Sequence, residues 1–205
     1  INITQSEAEV PAMASGIAVD RKLRMGMVGG GRDAFIGPVH RIAAQMDGLV
    51  ELTCGAFSSN PVKSRKSGSD LFLPDSNVYD SYQEMIERQS GLPQGERMDF
   101  VSIVTPNDTH FPVAKLALEN GFAVVCEKPM TLNLEQAQEL ERLVQKTGLP
   151  FLLTHNYTGY PLVKEGRERI LSEELGKIRK VVVEYPQGWL ATRLESTGQK
   201  QAQWR

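Results

Sequence analysis

The sequence predicts an α/β fold organised on a doubly wound parallel sheet, and three observations carry the prediction. An apolar run holding Leu23, Met25, Met27 and Val28 breaks into Gly29, Gly30 and Gly31 and resumes as an amphipathic segment, which reads as strand, tight turn and helix. Short apolar runs bounded by turn residues then alternate with helical stretches as far as Thr154. Polar residues cluster directly after those runs, where the carboxyl edge of a parallel sheet presents them to a ligand.

The first turn is organised as a dinucleotide cradle. Gly29 permits the sharp exit from the strand, Gly31 offers no Cβ to an approaching pyrophosphate, and Gly37 lets the helix pack close to the strand. Pro38 suits a first helical turn, whose free amides point at an anion. Gly29, Gly31, Ile36 and Gly37 are therefore the cofactor-binding candidates of this turn. Five residues separate Gly31 from Gly37 where the G-x-G-x-x-G pattern has two, so the stretch alone also fits a glycine-rich turn without a ligand.

A chain of 205 residues suffices for one large domain, or for one domain with part of another. Its 23 basic and 25 acidic residues give a net charge of −2, which offers no general attraction to nucleic acid or anionic lipid. No apolar run has the length of a bilayer span. Residues 1–22 read as a flexible arm, with Glu7 and Glu9 where a signal peptide wants basic residues. Cys54 and Cys126 fall inside apolar segments without zinc-ligand spacing and read as buried thiols, so no metal site and a cytoplasmic setting are expected.

Residues 49–57 have the length and residue types of a buried second strand. Sites that prefer NAD commonly place Asp or Glu at the end of this strand, for the ribose 2′-hydroxyl; here Ser58 is followed by Lys63, Arg65 and Lys66. That tilts the expectation toward NADP, unless the cations merely decorate a solvated helix face. Residues 67–77 read as a loop, Asp80 or Ser81 as the cap of a short helix through Glu87, and residues 89–97 as a surface excursion. The next strand, residues 99–104, runs into Thr105-Pro-Asn-Asp-Thr-His110 and a helix over 111–120, with Asn107 or Asp108 as its cap and Gly121 as its stop. Thr105 and Asn107 face a cofactor from the carboxyl edge, whereas His110 fits capping or packing as well as chemistry, and His40 reads as packing or capping. Residues 122–126 form a strand that ends in Glu127-Lys128-Pro129, followed by a capped helix over 133–146 closed by Gly148 and a last strand over 151–154.

A Glu-Lys-Pro at a strand end, behind a glycine-rich first turn and a Thr-Pro-Asn-x-x-His loop, resembles the Gfo/Idh/MocA oxidoreductase family, which includes glucose–fructose oxidoreductase and inositol dehydrogenase. The order and spacing of all three motifs match. The resemblance implies a Rossmann domain over residues 23–154 that binds NADP or NAD, with Thr105, Asn107, His110 and Glu127 at the cofactor. It also implies that Lys128 contacts the nicotinamide ribose and the substrate hydroxyl as a catalytic cation, that Glu127 orients it, and that the Lys128–Pro129 bond is cis. Residues 155–205 would then begin a substrate domain, with a helix over 161–172 and, at 178–185, the first strand of a mostly antiparallel sheet through which the full-length protein forms a homo-oligomer. His155, Asn156, Tyr157 and Trp189 are weaker candidates for substrate contact.

The implied reaction passes hydride between the nicotinamide and a carbinol of a sugar, inositol or related polyol, with nucleic acid and membrane playing no part. The family also places an Asp-x-x-x-His pair beyond this region as the proton shuttle, but the last Asp here is Asp108 and the last His is His155. The chain therefore reads as a fragment able to bind cofactor without that shuttle. The reading from another class is a non-catalytic dinucleotide sensor or regulatory protein of the same fold.

Overall fold

In the computed structural model, which describes residues 21–188 and 191–198, strands β1 (Leu23–Gly29), β2 (Val50–Ala56), β3 (Phe100–Val104), β4 (Ala123–Cys126) and β5 (Phe151–Leu153) form one parallel sheet. Their order is β2-β1-β3-β4-β5. Most of the arm expected at the start, together with Trp189 and Trp204, lies outside the described residues. The chain leaves β1 toward β2 on one side and returns to place β3 on the other, so a topological switch point falls between the carboxyl ends of β1 and β3. Beyond β2 a further strand position is reduced to one parallel bridge, Gly55 to Val78, steadied by the Asn77 side-chain amide on the Thr53 carbonyl at 3.0 Å.

Among the described residues six α-helices accompany these strands, five between them and one after the last: α1 (Ile36–Gln45), α2 (Pro61–Asp70), α3 (Tyr82–Ser90), α4 (His110–Glu119), α5 (Leu134–Thr147) and α6 (Pro161–Leu171). Helices α3, α4 and α5 cover one face, where Met85, Ile86, Val113, Phe122 and Leu140 pack on Val101, Ile103, Val124 and Cys126. On the other face Met25, Met27, Phe57 and Val104 meet Ile36 and Ala44 of α1. Each such side chain contributes about 1.5–3 kcal/mol by leaving water, so the helices are held chiefly by the sheet. The second face is covered less completely, and Leu152 of β5 is 60% exposed there.

Helix ends follow local chemistry. Asn60, Ser81 and Asn133 each accept a backbone N–H from the first turn of α2, α3 and α5, and Gly148 closes α5 in the left-handed region at φ 66°. Helix α2 extends over residues expected to be loop. Its buried face is polar: Ser64 Oγ accepts from Phe57 N at 3.0 Å and donates to the Tyr79 carbonyl at 2.9 Å, while Gly68 lies against Val78. Nor does Asn107 or Asp108 cap α4, because residues Asn107–Thr109 form a 3₁₀ turn whose backbone leads directly into the helix. Residues 178–185 form no strand, and Val181, Val182 and Val183 are exposed. Among the described residues nothing pairs with this segment, and an extended chain without a ladder partner does not make a sheet. The antiparallel sheet expected after the Rossmann domain thus has no strand among the described residues.

Candidate functional site

At the switch point the backbone turns on glycines. Gly29 and Gly30 take φ values of 82° and 72°, and a Cβ at Gly29 would stand 2.8 Å from the Val104 carbonyl oxygen, so the ends of β1 and β3 close on each other. A Cβ at Gly37 would collide with the Gly30 backbone, so α1 is stacked directly on the turn. The space beside Gly31, which the sequence reading assigned to a pyrophosphate, is bounded by protein: a Cβ there would meet Ser67 Oγ at 2.5 Å and the Phe57 carbonyl oxygen at 2.9 Å. Helix α1 starts at Ile36 without a side-chain cap.

A cleft of about 1300 Å³ opens between α1 and the carboxyl edge of the sheet. Ile36, Val39 and His40 line it from α1, Val104 and Thr105 from the end of β3, and Glu127, Lys128, Thr154, Asn156 and Tyr157 from the ends of β4 and β5. Thr105 Oγ1 is buried with no hydrogen-bond partner among the described residues, an orphaned polar atom on the cleft wall. Lys128 is exposed and pairs with no carboxylate among the described residues; its peptide bond to Pro129 is cis, as the resemblance implied.

Behind the wall runs a continuous polar network. His40 Nε2 lies 2.9 Å from Glu127 Oε1, and since a carboxylate only accepts, the imidazole donates there. The other ring nitrogen, Nδ1, lies 2.9 Å from Ser102 Oγ. Thr154 Oγ1 donates to Glu127 Oε1 at 2.7 Å, and the Lys128 amide donates to Oε2 at 3.2 Å. The His40 and Glu127 side chains are only 10% and 14% exposed. Burial pushes the Glu127 carboxyl up, but the hydrogen bonds from His40 and Thr154, the His40 charge and the Lys128 amide outweigh it and hold the group below its ordinary value. The network ties α1 to the ends of β3, β4 and β5. Sequence reasoning missed His40's part in it, because nothing local links a helical histidine to a glutamate 87 residues later.

Other candidates are placed differently. His110, expected at the cofactor, is wholly buried, with Nδ1 2.7 Å from the Pro129 carbonyl oxygen and Nε2 3.0 Å from that of Thr105. Both ring nitrogens face backbone carbonyl oxygens, so His110 braces the two loops from behind. Asn107 is half-buried in its 3₁₀ turn, and Ser58 Oγ accepts the Asn60 amide at 3.2 Å, shaping the start of α2. His155 is exposed and stands outside the cleft lining, whereas Asn156 and Tyr157 belong to it. The Tyr157 and Tyr185 hydroxyls share a 2.6 Å hydrogen bond, which lowers the Tyr185 phenol, aided by Gln187 and the nearby Lys128 charge, and raises that of Tyr157. Trp189 lies outside the described residues. Among those residues no cluster could hold a metal ion and no helix is long and apolar enough to cross a membrane.

Open parallel sheets take ligands in the crevice where strand order reverses, and a glycine turn under a helix start at that crevice is the arrangement of a dinucleotide-binding α/β domain. The chain belongs to the Gfo/Idh/MocA oxidoreductase family, whose NAD-binding Rossmann fold its residues 23–155 match. It is 35% identical over 175 residues to YfiI, an uncharacterised oxidoreductase of Bacillus subtilis, covering 85% of this chain and 44% of that protein. A crystal structure of an inositol dehydrogenase homologue from Azotobacter vinelandii, complexed with NADH and myo-inositol, superposes with a TM-score of 0.75 at 37% identity, covering 78% of this chain and 42% of that one. An oxidoreductase from Sinorhizobium meliloti gives 0.73 at 45% identity, over 78% and 44% of the two chains. The chain thus spans less than half the length of each of these relatives.

Proposed function

We propose that this chain is the cofactor-binding part of an oxidoreductase that moves a hydride between a nicotinamide and a carbinol of a sugar, inositol or related polyol. One observation carries the reading: a buried hydroxyl, Thr105 Oγ1, and an ammonium, Lys128, which among the described residues have no hydrogen-bond partner and no carboxylate partner respectively, share the cleft at the sheet's switch point. Both fit a bound dinucleotide, the first as a hydrogen-bonding group awaiting a partner and the second as a cation at the nicotinamide end. Gly29, Ile36, Gly37 and the start of α1 would hold the pyrophosphate, with Gly31 and Ser58 toward the adenosine and Thr105 and Asn107 along the nicotinamide half. When bound, the nicotinamide supplies the hydride acceptor or donor.

Everything else in the step belongs to this chain's residues. Lys128 would stabilise negative charge developing on the carbinol oxygen, a fixed cation that needs no reorganisation as the charge appears. Glu127, held by His40 and Thr154, fixes the backbone from which Lys128 projects. Asn156 and Tyr157 form the far wall and offer hydrogen bonds to substrate hydroxyls. The polyol class is supported by the myo-inositol in the A. vinelandii relative's crystals. Titration of the folded chain with NADH and NADPH tests the cofactor reading. A saturable fluorescence change below millimolar concentration is expected for at least one of them, and no binding of either by a folded sample overturns the proposal.

A further inference from the structure

Strand β4 ends at Cys126, so Glu127 and Lys128 lie past the pleat that sends neighbouring side chains to opposite faces, and both line the cleft. A carboxylate and an ammonium one residue apart on one wall are placed to pair. They do not: among the described residues the Lys128 ammonium has no carboxylate partner, and both Glu127 oxygens are occupied by other donors. Those donors are unequal. The Lys128 amide, 3.2 Å from Oε2, belongs to the same stretch of chain and cannot hold the carboxylate away from it. The Thr154 hydroxyl, 2.7 Å from Oε1, also lies 3.2 Å from the Cys126 carbonyl oxygen and has a single proton to give. His40 Nε2, 2.9 Å from Oε1, reaches the carboxylate from α1, and its ring is steadied through Nδ1 by Ser102 Oγ at 2.9 Å, on a residue only 1% exposed.

We infer that His40 is a positioning residue for Lys128: by holding the Glu127 carboxylate against the strand ends, it keeps that charge off the neighbouring ammonium and leaves the cation free for a ligand. That the ligand is a nicotinamide cofactor with its substrate rests on the reading above. An ammonium committed to a carboxylate a few ångströms away presents a nearly neutral pair to the cleft, and little of its field is left for an oxygen that gains negative charge. The charge to be kept away is real. Burial pushes the Glu127 carboxyl up, but the hydrogen bonds from His40 and Thr154 outweigh it and hold the group below its ordinary value, so it is ionised at neutral pH. Without the imidazole, Oε1 keeps only the divided Thr154 proton, and the cation one residue away becomes the carboxylate's replacement partner.

The test is the rate at which acetic anhydride acylates Lys128 in the cofactor-free chain, read at that residue by mass spectrometry and normalised to the exposed Lys164 of α6, with circular dichroism checking each fold. Acylation needs the uncharged amine, and a carboxylate beside an ammonium favours the charged form, so pairing slows it. His40→Leu should slow Lys128 by roughly two- to fivefold, the size of one exposed ion pair. His40→Gln keeps an N–H donor for Glu127 and should stay near the wild type. In the double variant His40→Leu with Glu127→Gln the charge is gone, and the rate should return to that of Glu127→Gln alone. An unchanged rate in folded His40→Leu, or a slowing that persists in the double variant, overturns the inference; the second result marks His40 as a packing residue. Should His40→Leu not fold, Glu127→Gln alone decides: the inference expects a rate near the wild type's, and an acceleration shows that Glu127 already pairs with Lys128 and overturns it. Because no cofactor is present, the result is read independently of the NADH and NADPH titrations that test the dinucleotide reading.

Discussion

Burial disfavours the Glu127 carboxylate, and His40 and Thr154 keep it ionised. Its folded pKa lies below the ordinary value of 4.5, so the stabilisation it provides is complete above that value and is lost as pH falls through the lower, folded one. Urea midpoints measured across the acid range should therefore decline more gently in Glu127→Gln than in the wild type. His40→Ala leaves a part-buried carboxylate short of a donor and should cost about 1–3 kcal/mol at neutral pH. Lys128 has a different signature. In a longer protein that turns over, Lys128→Ala should lower the rate by about two to three orders of magnitude, as loss of an oxyanion donor does. Cofactor affinity should change much less, and Lys128→Arg should not restore the rate, because a planar guanidinium cannot place a compact charge at the same point. A folded alanine variant with near-native turnover removes Lys128 from the mechanism. The two residues differ equally in how readable they were. The place of Lys128 just past the carboxyl end of β4 was legible because its motif stands in order behind two others, whereas His40 gains its meaning only from folding onto Glu127.

Among the elements, α1 depends on one glycine. Gly37→Ala would drive a methyl group into the Gly30 backbone, which cannot yield as a flexible side chain would. Overpacking of this kind costs about 1–3 kcal/mol, and the turn it displaces is the proposed pyrophosphate cradle. Thermal melts and cofactor titrations of this variant should both worsen, while Gly148→Ala, strained at the left-handed end of α5 but in open space, should lower only the melting temperature. Strands, caps and stops of this sort were legible because their signals are local: the apolar runs, Ser81, Asn133 and Gly148. Helix α2 was less so. Its buried face is made of Ser64, Ser67 and Gly68, and hydroxyls that satisfy backbone groups of other elements leave no apolar period to read. The expected cap of α4 failed for the opposite reason, a 3₁₀ turn having used the backbone that Asn107 or Asp108 was to bond.

At the scale of the molecule, the parallel sheet and its switch point follow from the alternation of strand and helix, since parallel neighbours need crossovers and the crossovers are the helices. Residues 178–185 mark the limit of such reasoning. Their apolar pattern is strand-like, yet a strand exists only with a partner, and none stands beside them among the described residues. The two cysteines carry a consequence for how this sheet can be watched. Cys54 on β2 and Cys126 on β4 are wholly buried, and burial pushes both thiols up to about 12, so at neutral pH they are shielded from reagents and almost entirely protonated. Each becomes reactive only when its own strand is laid open, which makes the pair a two-handed clock. Pulse alkylation under mildly denaturing conditions should find both hands moving together if the sheet opens as one unit. If the outer β2 edge frays first, Cys54 will run ahead, and the lead it gains will time the opening of that edge separately from that of β4.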